Sequence, residues 1–325
     1  MAIGTKSDFV IYNDQFHSGM NEVLNQNTSV FNGASRNGII LTPNRVLGDY
    51  GKESFYALTS GFLQDRNPTS TSAATATKLT QAENISVKIN KMALMENTLD
   101  SFKKKQIDMR EFSFVCGQMY GQEVLVDYIK SGVGAAAAAI GQHNVQNNDT
   151  GTITTAGLVQ LVSKLGDASN NIVCFVMHSK TYFDLVQEQI AADVFDVGGI
   201  NIKQGTPVTL NRPVIVTDST SLISSGTGPG SPQTDEYYTL ALTPNAIRID
   251  ESEERTMYSQ IVGRLDNLLL SWQVESAYNL SLKGYKWDTT NGGTSPSLSA
   301  LTTATNWDKV ATSTKDLLGA VLVTQ

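Results

Sequence analysis

The residues that could do chemistry are few and scattered. Three histidines, His17, His143 and His178, lie far apart and show none of the short spacings by which imidazoles share a metal or serve a nucleophile. His178-Ser179 follows an apolar run and opens a helical pattern, the order of elements in a nucleophile elbow, but the glycines of G-x-S-x-G are missing. Capping of the helix by the strand end is the simpler reading. Asp250-Glu251-Ser252-Glu253-Glu254 gathers carboxylates that could attract Ca²⁺, yet it lacks the spaced ligands and turn glycine of a loop site, and reads as a solvated acidic turn. Lys103-Lys104-Lys105, the one basic run, reads as a solvated face before a helix. Gly132 and Gly134 sit within a helical stretch with no strand before them, so a dinucleotide motif fails on context. They suit a bend or close packing beside the alanine run Ala135 to Ala139. No catalytic, cofactor-binding or metal-ligating residue can be assigned, no cofactor is expected, and the chain does not read as an enzyme.

Composition narrows the classes further. At 325 residues, with 40% hydrophobic and 17% charged, the chain is long enough for two ordinary soluble cores. A formal charge of -7 argues against gripping nucleic acid through its phosphates, which needs concentrated Lys and Arg, but not against enclosing it. No apolar run has the length of a signal peptide or membrane span, so no membrane partner is expected. Cys116 and Cys174 lie in apolar contexts without metal or disulfide spacing, which suits a reducing cytoplasm.

With chemistry sparse, the elements themselves carry the information. Asp108 precedes Glu111 at capping-box spacing. Phe112, Val115, Cys116, Met119, Val126, Ile129, Val133, Ala137 and Ile140 then recur at helical steps, predicting one helix from Asp108 to about Gly141. At 1.5 Å per residue that is a rod of roughly 50 Å. Leu268, Leu270, Trp272, Val274, Tyr278, Leu280 and Leu282 alternate with mostly polar neighbours, predicting a strand of similar length, also roughly 50 Å. An amphipathic helix on a sheet with one apolar face buries both, giving a long thin slab.

The remaining segments arrange around that slab. Residues 1–45 have isolated apolar residues among Asn, Gln and Ser, without sustained helical pattern, and read as an arm lying on another surface. Tyr50, Phe55, Leu58 and Phe62 suggest a short helix over 49–63, Asn67 to Thr75 an exposed tip, and Ile85, Val87 and Ile89 a strand, together a projecting loop. After a polar linker from Asn144 to Thr154, Thr155 caps a short helix ending at Gly166. Ile172 to Met177 is a buried strand, and Ser179 opens a helix with Tyr182, Phe183, Val186 and Ile190 inward. Strands over 207–217 and 237–242 complete a compact unit at 151–254. The tail from 289 to 325 has too little apolar content for a core and reads as docking on something already folded.

Several segments resemble the major capsid proteins of tailed bacteriophages, whose fold is shared with herpesvirus shells. Gly48-Asp49-Tyr50-Gly51-Lys52-Glu53-Ser54-Phe55 with Lys78-Leu79-Thr80-Gln81 resembles the two limbs of that family's extended loop. Val176 to Leu185 resembles its axial strand and helix, Pro213 to Asp218 the strand after it, and Tyr285 to Asp288 its C-terminal boundary. The resemblance covers nearly the whole chain in order. It implies an α+β fold: N-terminal arm (1–45), extended β-loop (46–100), peripheral domain with long spine helix (101–150) and long β-sheet strands (255–288), α/β axial domain (151–254), and C-terminal segment (289–325).

The same resemblance implies a structural protein that assembles with itself, as hexamers and pentamers, into an icosahedral shell around double-stranded DNA. It places the protein in the virion, assembled in the bacterial host cytoplasm, with a portal protein and possible decoration or cement proteins as partners. Some members start with a long helical scaffolding segment that is cleaved off; residues 1–45 show no such pattern, so a separate scaffolding protein or none is expected. No Lys–Asn pair matches the covalent cross-link of certain members, so locking is expected to be non-covalent. Alternatives are an encapsulin-like compartment of the same fold, with protein cargo, and a phage fibre or adhesin, which repeats and trimers would mark.

Overall fold

The computed structural model describes residues 6–44, 47–57, 65, 68–73, 80–98, 109–147, 151–192, 195–197, 200–202, 209–225, 235–263, 266–311 and 313–325. In chain order its elements are α1 (Lys6–Ala34), β1 (Ile39–Pro43), β2 (Tyr50–Ala57), β3 (Thr80–Thr98), α2 (Met109–Ile140), β4 (Val145–Asn147), α3 (Thr155–Ser163), β5 (Cys174–His178) and α4 (Ser179–Ala192). There follow β6 (Phe195–Val197), β7 (Ile200–Ile202), β8 (Val214–Thr217), β9 (Ile223–Ser225), β10 (Asp235–Leu242), β11 (Ile247–Val262), β12 (Leu269–Leu282), β13 (Tyr285–Trp287), α5 (Leu298–Leu301), β14 (Trp307–Lys309) and β15 (Gly319–Thr324).

The rod and the ribbon are both present, and they pack on each other. Helix α2 has 32 residues and β12 has 14. β12 lies at the centre of a sheet ordered β1-β11-β12-β3-β2, all antiparallel except the parallel β1–β11 pair. The contacts run the whole length of the helix. Phe112 meets Trp272 with ring centroids 5.4 Å apart, Tyr128 meets Tyr278 at 4.7 Å, and a Cβ at Gly132 would lie 3.0 Å from Ile247 and 3.2 Å from Ile249. Gly132 and Gly134 therefore serve close packing within an unbroken helix. Asp108, the expected capping residue, lies outside the described residues.

The burial stripe of α2 differs from the one its apolar spacing suggests. Val115, Met119 and Val126 are exposed, while Gly117, Tyr120, Gly121, Val124, Tyr128 and Ser131 are buried. Small and aromatic residues take the inside because α2 is covered on two sides, by the sheet and by α1. Similarly, β12 is less one-sided than its alternation implies: Ser271, Ala277 and Asn279, from the expected polar face, are buried as well. A central strand with neighbours on both edges loses solvent that a two-stranded ribbon would keep.

Helix α1 is the largest departure from expectation, because residues 1–45 carry no obvious helical stripe. Phe16, Met20 and Leu24 are all buried against α2. The partner surface explains the helix. A Cβ at Gly117 would overlap the Phe16 carbonyl oxygen, and one at Gly121 would lie 3.2 Å from that of Met20. α1 thus rests backbone to backbone on a notch of two glycines four residues apart, and tertiary packing, more than propensity, makes it helical. Arg36 and Asn37, with φ of 49° and 59°, stop the helix in the left-handed conformation.

Residues 50–57 are a strand and not a helix: β2 pairs with β3 from Tyr50↔Val87 to Ala57↔Thr80. Leu58 and Phe62, half of the expected helical stripe, lie outside the described residues. Ile85, Val87 and Ile89 do lie on a strand, the 19-residue β3. The acidic run is not a turn either. Asp250 to Ser252 lie within the 16-residue β11, which crosses residue 254 without a break apart from a bulge between Ser252 and Thr256.

A second sheet is ordered β4-β15-β10-β5-β8, with β9 added on β10. β5 has four of its five residues buried, as its continuous apolar run suggests. The C-terminal tail is integral here: all six residues of β15 are buried, paired antiparallel to β10 and parallel to β4. Thr154, one residue before the expected cap, accepts a hydrogen bond from the Gly157 N–H and starts α3. Gly166, with φ of 58°, takes the left-handed turn after it. On α4, Leu185 and Thr181 face inward, whereas Phe183 is exposed. The tail also returns to the chain just before it: β14 pairs antiparallel with β13, and Trp287 and Trp307 meet edge to face at 4.9 Å.

Candidate assembly surfaces

The residues singled out for chemistry end up apart from one another. His17 is on α1, His143 in the turn after α2, and His178 at the end of β5. His178 Nδ1 accepts the Lys180 N–H at 3.2 Å, a local cap at the start of α4, and its ring lies 5.3 Å from Tyr237. Asp250 accepts from Thr42 Oγ1 at 2.6 Å and from Arg248 Nε at 3.0 Å, and Glu251 pairs with Arg255. These carboxylates are consumed in structural contacts. Lys103 to Lys105 lie outside the described residues. Among the described residues no group of three His, Cys, Asp or Glu is placed to hold a metal, and no helix is long and apolar enough to cross a membrane. Burial pushes the Cys116 thiol up to about 11 and the Cys174 thiol to about 12, so neither is a ready nucleophile.

The polar groups that are brought together serve rigidity. Tyr278 Oη lies 2.9 Å from both Asp127 Oδ2 and Ser131 Oγ, Tyr120 Oη lies 2.9 Å from Ser276 Oγ, and Lys91 Nζ lies 2.9 Å from Asp127 Oδ1. Together they bolt the middle of α2 to β12 and β3. Burial raises the Tyr278 and Tyr128 phenols above their ordinary range, so both stay neutral.

What the fold leaves for function is surface. Met92, Leu94 and Tyr258 are 64%, 55% and 63% exposed. Leu94 and Tyr258 both register against Gln273 of β12, so they form a row across β3, β12 and β11 on one face of the sheet. Val115, Met119 and Val126 make a second apolar row along the outside of α2. Phe183, Val159 and Val216 mark the outside of the second sheet's layer. A groove of about 900 Å³ opens between Gly134, Ala137 and Ala138 of α2, Tyr238 and Val323 of the second sheet, and Leu298 of α5. Among the described residues, β3 from Ile89 to Asn97 has β12 as its strand partner, while the β2 pairing runs from Thr80 to Val87 and the Lys88 N–H goes to the Asp49 carbonyl at 2.9 Å. Large apolar side chains and an open strand edge at several rims of one thin slab are features of a subunit that packs against other proteins.

A spine helix on a long sheet, a β2–β3 limb, and a second α/β layer completed by the C-terminus give the chain a capsid-type architecture. Residues 8–321 match the family described as Gp13-like, major capsid protein 13-like, and the chain belongs to that family. Solved structures agree on the fold. A chain of Mycobacterium phage Adephagia is 12% identical with a TM-score of 0.51, covering 90% of this chain and 89% of that one. One of Mycobacterium phage Cain is 13% identical with a TM-score of 0.50, again covering 90% and 89%. One of Microbacterium phage Oxtober96 is 11% identical with a TM-score of 0.50, covering 90% and 91%. No curated protein matches the sequence.

Two functional features escape a reading of the sequence: the role of Gly117 and Gly121 as a docking notch, and the apolar rows on the outside. The notch was visible as two glycines one helical turn apart on α2. The outer rows were not, because exposed and buried apolar residues follow the same periodicity.

Proposed function

We propose that this capsid protein is the building block of a closed icosahedral shell, assembled from hexamers and pentamers, that encloses double-stranded DNA without sequence-specific contacts. The observation that carries the reading is the match of 8–321 to a major capsid protein family by a chain that folds as a thin slab with apolar rims. In this reading the unit at 151–254 lies near the local symmetry axes, the limb at 46–100 reaches over a neighbour, and apolar rows are buried between slabs. A subunit of charge -7 lets the genome pack and leave without sticking. The chain acts structurally and not as an enzyme. Locking is non-covalent, a portal protein occupies one vertex, and scaffolding and decoration or cement proteins are separate chains where used. The shell is assembled in the host cytoplasm and ends in the virion.

Negative-stain imaging of the purified protein tests this. Closed shells are expected, with DNA in particles from infected cells. Fibres, or small discrete oligomers under all assembly conditions, refute it.

A further inference from the structure

The sheet beneath the spine helix ends on β1 at one side, and side chains close that edge. Gly38 and Asn44 bond to β11: the Gly38 carbonyl accepts the Ile247 N–H at 3.2 Å, and the Asn44 N–H donates to the Glu251 carbonyl at 3.2 Å. Backbone groups of a parallel strand serve its two neighbours alternately, so those of Ile39, Leu41 and Pro43 point away from β11. The last turns of α1 meet them there. Asn32 Nδ2 donates to the Leu41 carbonyl at 2.9 Å and Asn32 Oδ1 accepts the Leu41 N–H at 2.9 Å, so one carboxamide makes both bonds that a neighbouring strand would make. Ser35 Oγ donates to the Ile39 carbonyl at 3.0 Å, and Pro43 has no N–H to offer.

The far side of the same sheet is different. Among the described residues, β3 from Ile89 to Asn97 has β12 as its strand partner, and Met92 and Leu94 are exposed on that stretch. It is longer than the five residues of β1, so it can cover the whole β1 edge. Were the β1 edge open, each copy of the chain would carry one strand edge to accept and another to offer. Pairing two different edges is heterologous and adds copies without closing, the geometry of a fibre. We propose that the β1 edge is a latent docking surface for β3 of a second copy, and that Asn32 and Ser35 hold it shut so that copies join only through contacts that close. The end of α1 thereby does in the subunit what charges or prolines do on other edge strands. This inference rests on the reading that the chain assembles with itself, and adds which surface must be kept out of that assembly.

Asn32→Ala combined with Ser35→Ala removes the clasp and leaves α1 able to form, since alanine is the better helix former at both positions. In the full unassembled chain, amide hydrogen exchange at Leu41 is expected to rise at least about fivefold, while Ile40 and Thr42, whose N–H groups face β11, keep their protection. At the same concentration the double variant is expected to form open-ended polymers in negative stain where the native chain forms none. Adding Met92→Lys and Leu94→Lys, which puts charge on the exposed stretch of β3, is expected to restore soluble subunits. Tyr278→Phe, which loses a buried hydroxyl network with the clasp intact, is expected to form no polymers. Unchanged exchange at Leu41, absence of polymers, polymers in Tyr278→Phe as well, or polymers that persist with both lysines overturn the proposal. Exchange at Leu41 is read on the unassembled subunit, so it stands or falls apart from whether the native chain closes into shells.

Discussion

Replacing Gly117 by alanine should destabilise the protein, although the same change in an isolated helix stabilises by about 1 kcal/mol. The added Cβ would overlap the Phe16 carbonyl oxygen and lie 2.9 Å from its carbonyl carbon, both backbone atoms that no rotamer change can move. Either α1 shifts bodily or the crossing opens. A forced backbone shift costs about 1–3 kcal/mol. If α1 leaves altogether, the burial of Phe16, Met20 and Leu24 is lost, worth about 1.5–3 kcal/mol each as an upper bound. Net of the helical gain, Gly117→Ala is expected to lose up to about 2 kcal/mol when α1 shifts and more when it detaches. The control is Gly33→Ala near the end of α1, where nothing lies within 4 Å of the new methyl. That variant should be neutral or slightly stabilised. Urea denaturation of the unassembled chain gives both values, and limited proteolysis between α1 and β1 separates shift from detachment. Equal stability of the two variants would refute backbone-to-backbone docking.

The other expectations follow from the same contacts. Tyr278→Phe removes the hydroxyl shared by Asp127 and Ser131, and should cost about 1–3 kcal/mol in denaturation; no change would mean the network is idle. Leu94→Glu, on the exposed row beside Tyr258, should alter stability by less than about 0.5 kcal/mol yet lower shell yield in assembly assays, and unaltered assembly would remove that row from the contact surfaces. Native Cys116 and Cys174 should resist alkylation at pH 8 until the chain unfolds, since burial holds both thiols protonated well above that pH, and rapid labelling of the folded chain would contradict this. Deleting residues 1–30 uncovers the Gly117–Gly121 notch and should prevent stable shells, whereas normal particles from the truncated chain would count against a role for α1.

Sequence by itself determined the two long elements and their partnership. The period of 3.6 from Phe112 to Ile140 and the period of two from Leu270 to Leu282 are local consequences of backbone geometry, so they can be read without the fold. Matching lengths then imply a slab. The ordered segments pointed to the capsid family, to which the chain belongs.

Tertiary structure alone decided which apolar residues are inside. Met119 and Val124 follow similar spacing rules, but only Val124 meets a neighbour, because α1 and the sheet cover two sides of α2 and leave the third open. It also decided the state of weak segments. Lys6–Ala34 became helical because a glycine notch awaits it, and Tyr50–Ala57 became a strand because β3 offers an edge. The β15 segment became core because β10 and β4 flank it. In each case the local preference is worth less than the packing it meets, so the deciding information lies on another part of the chain.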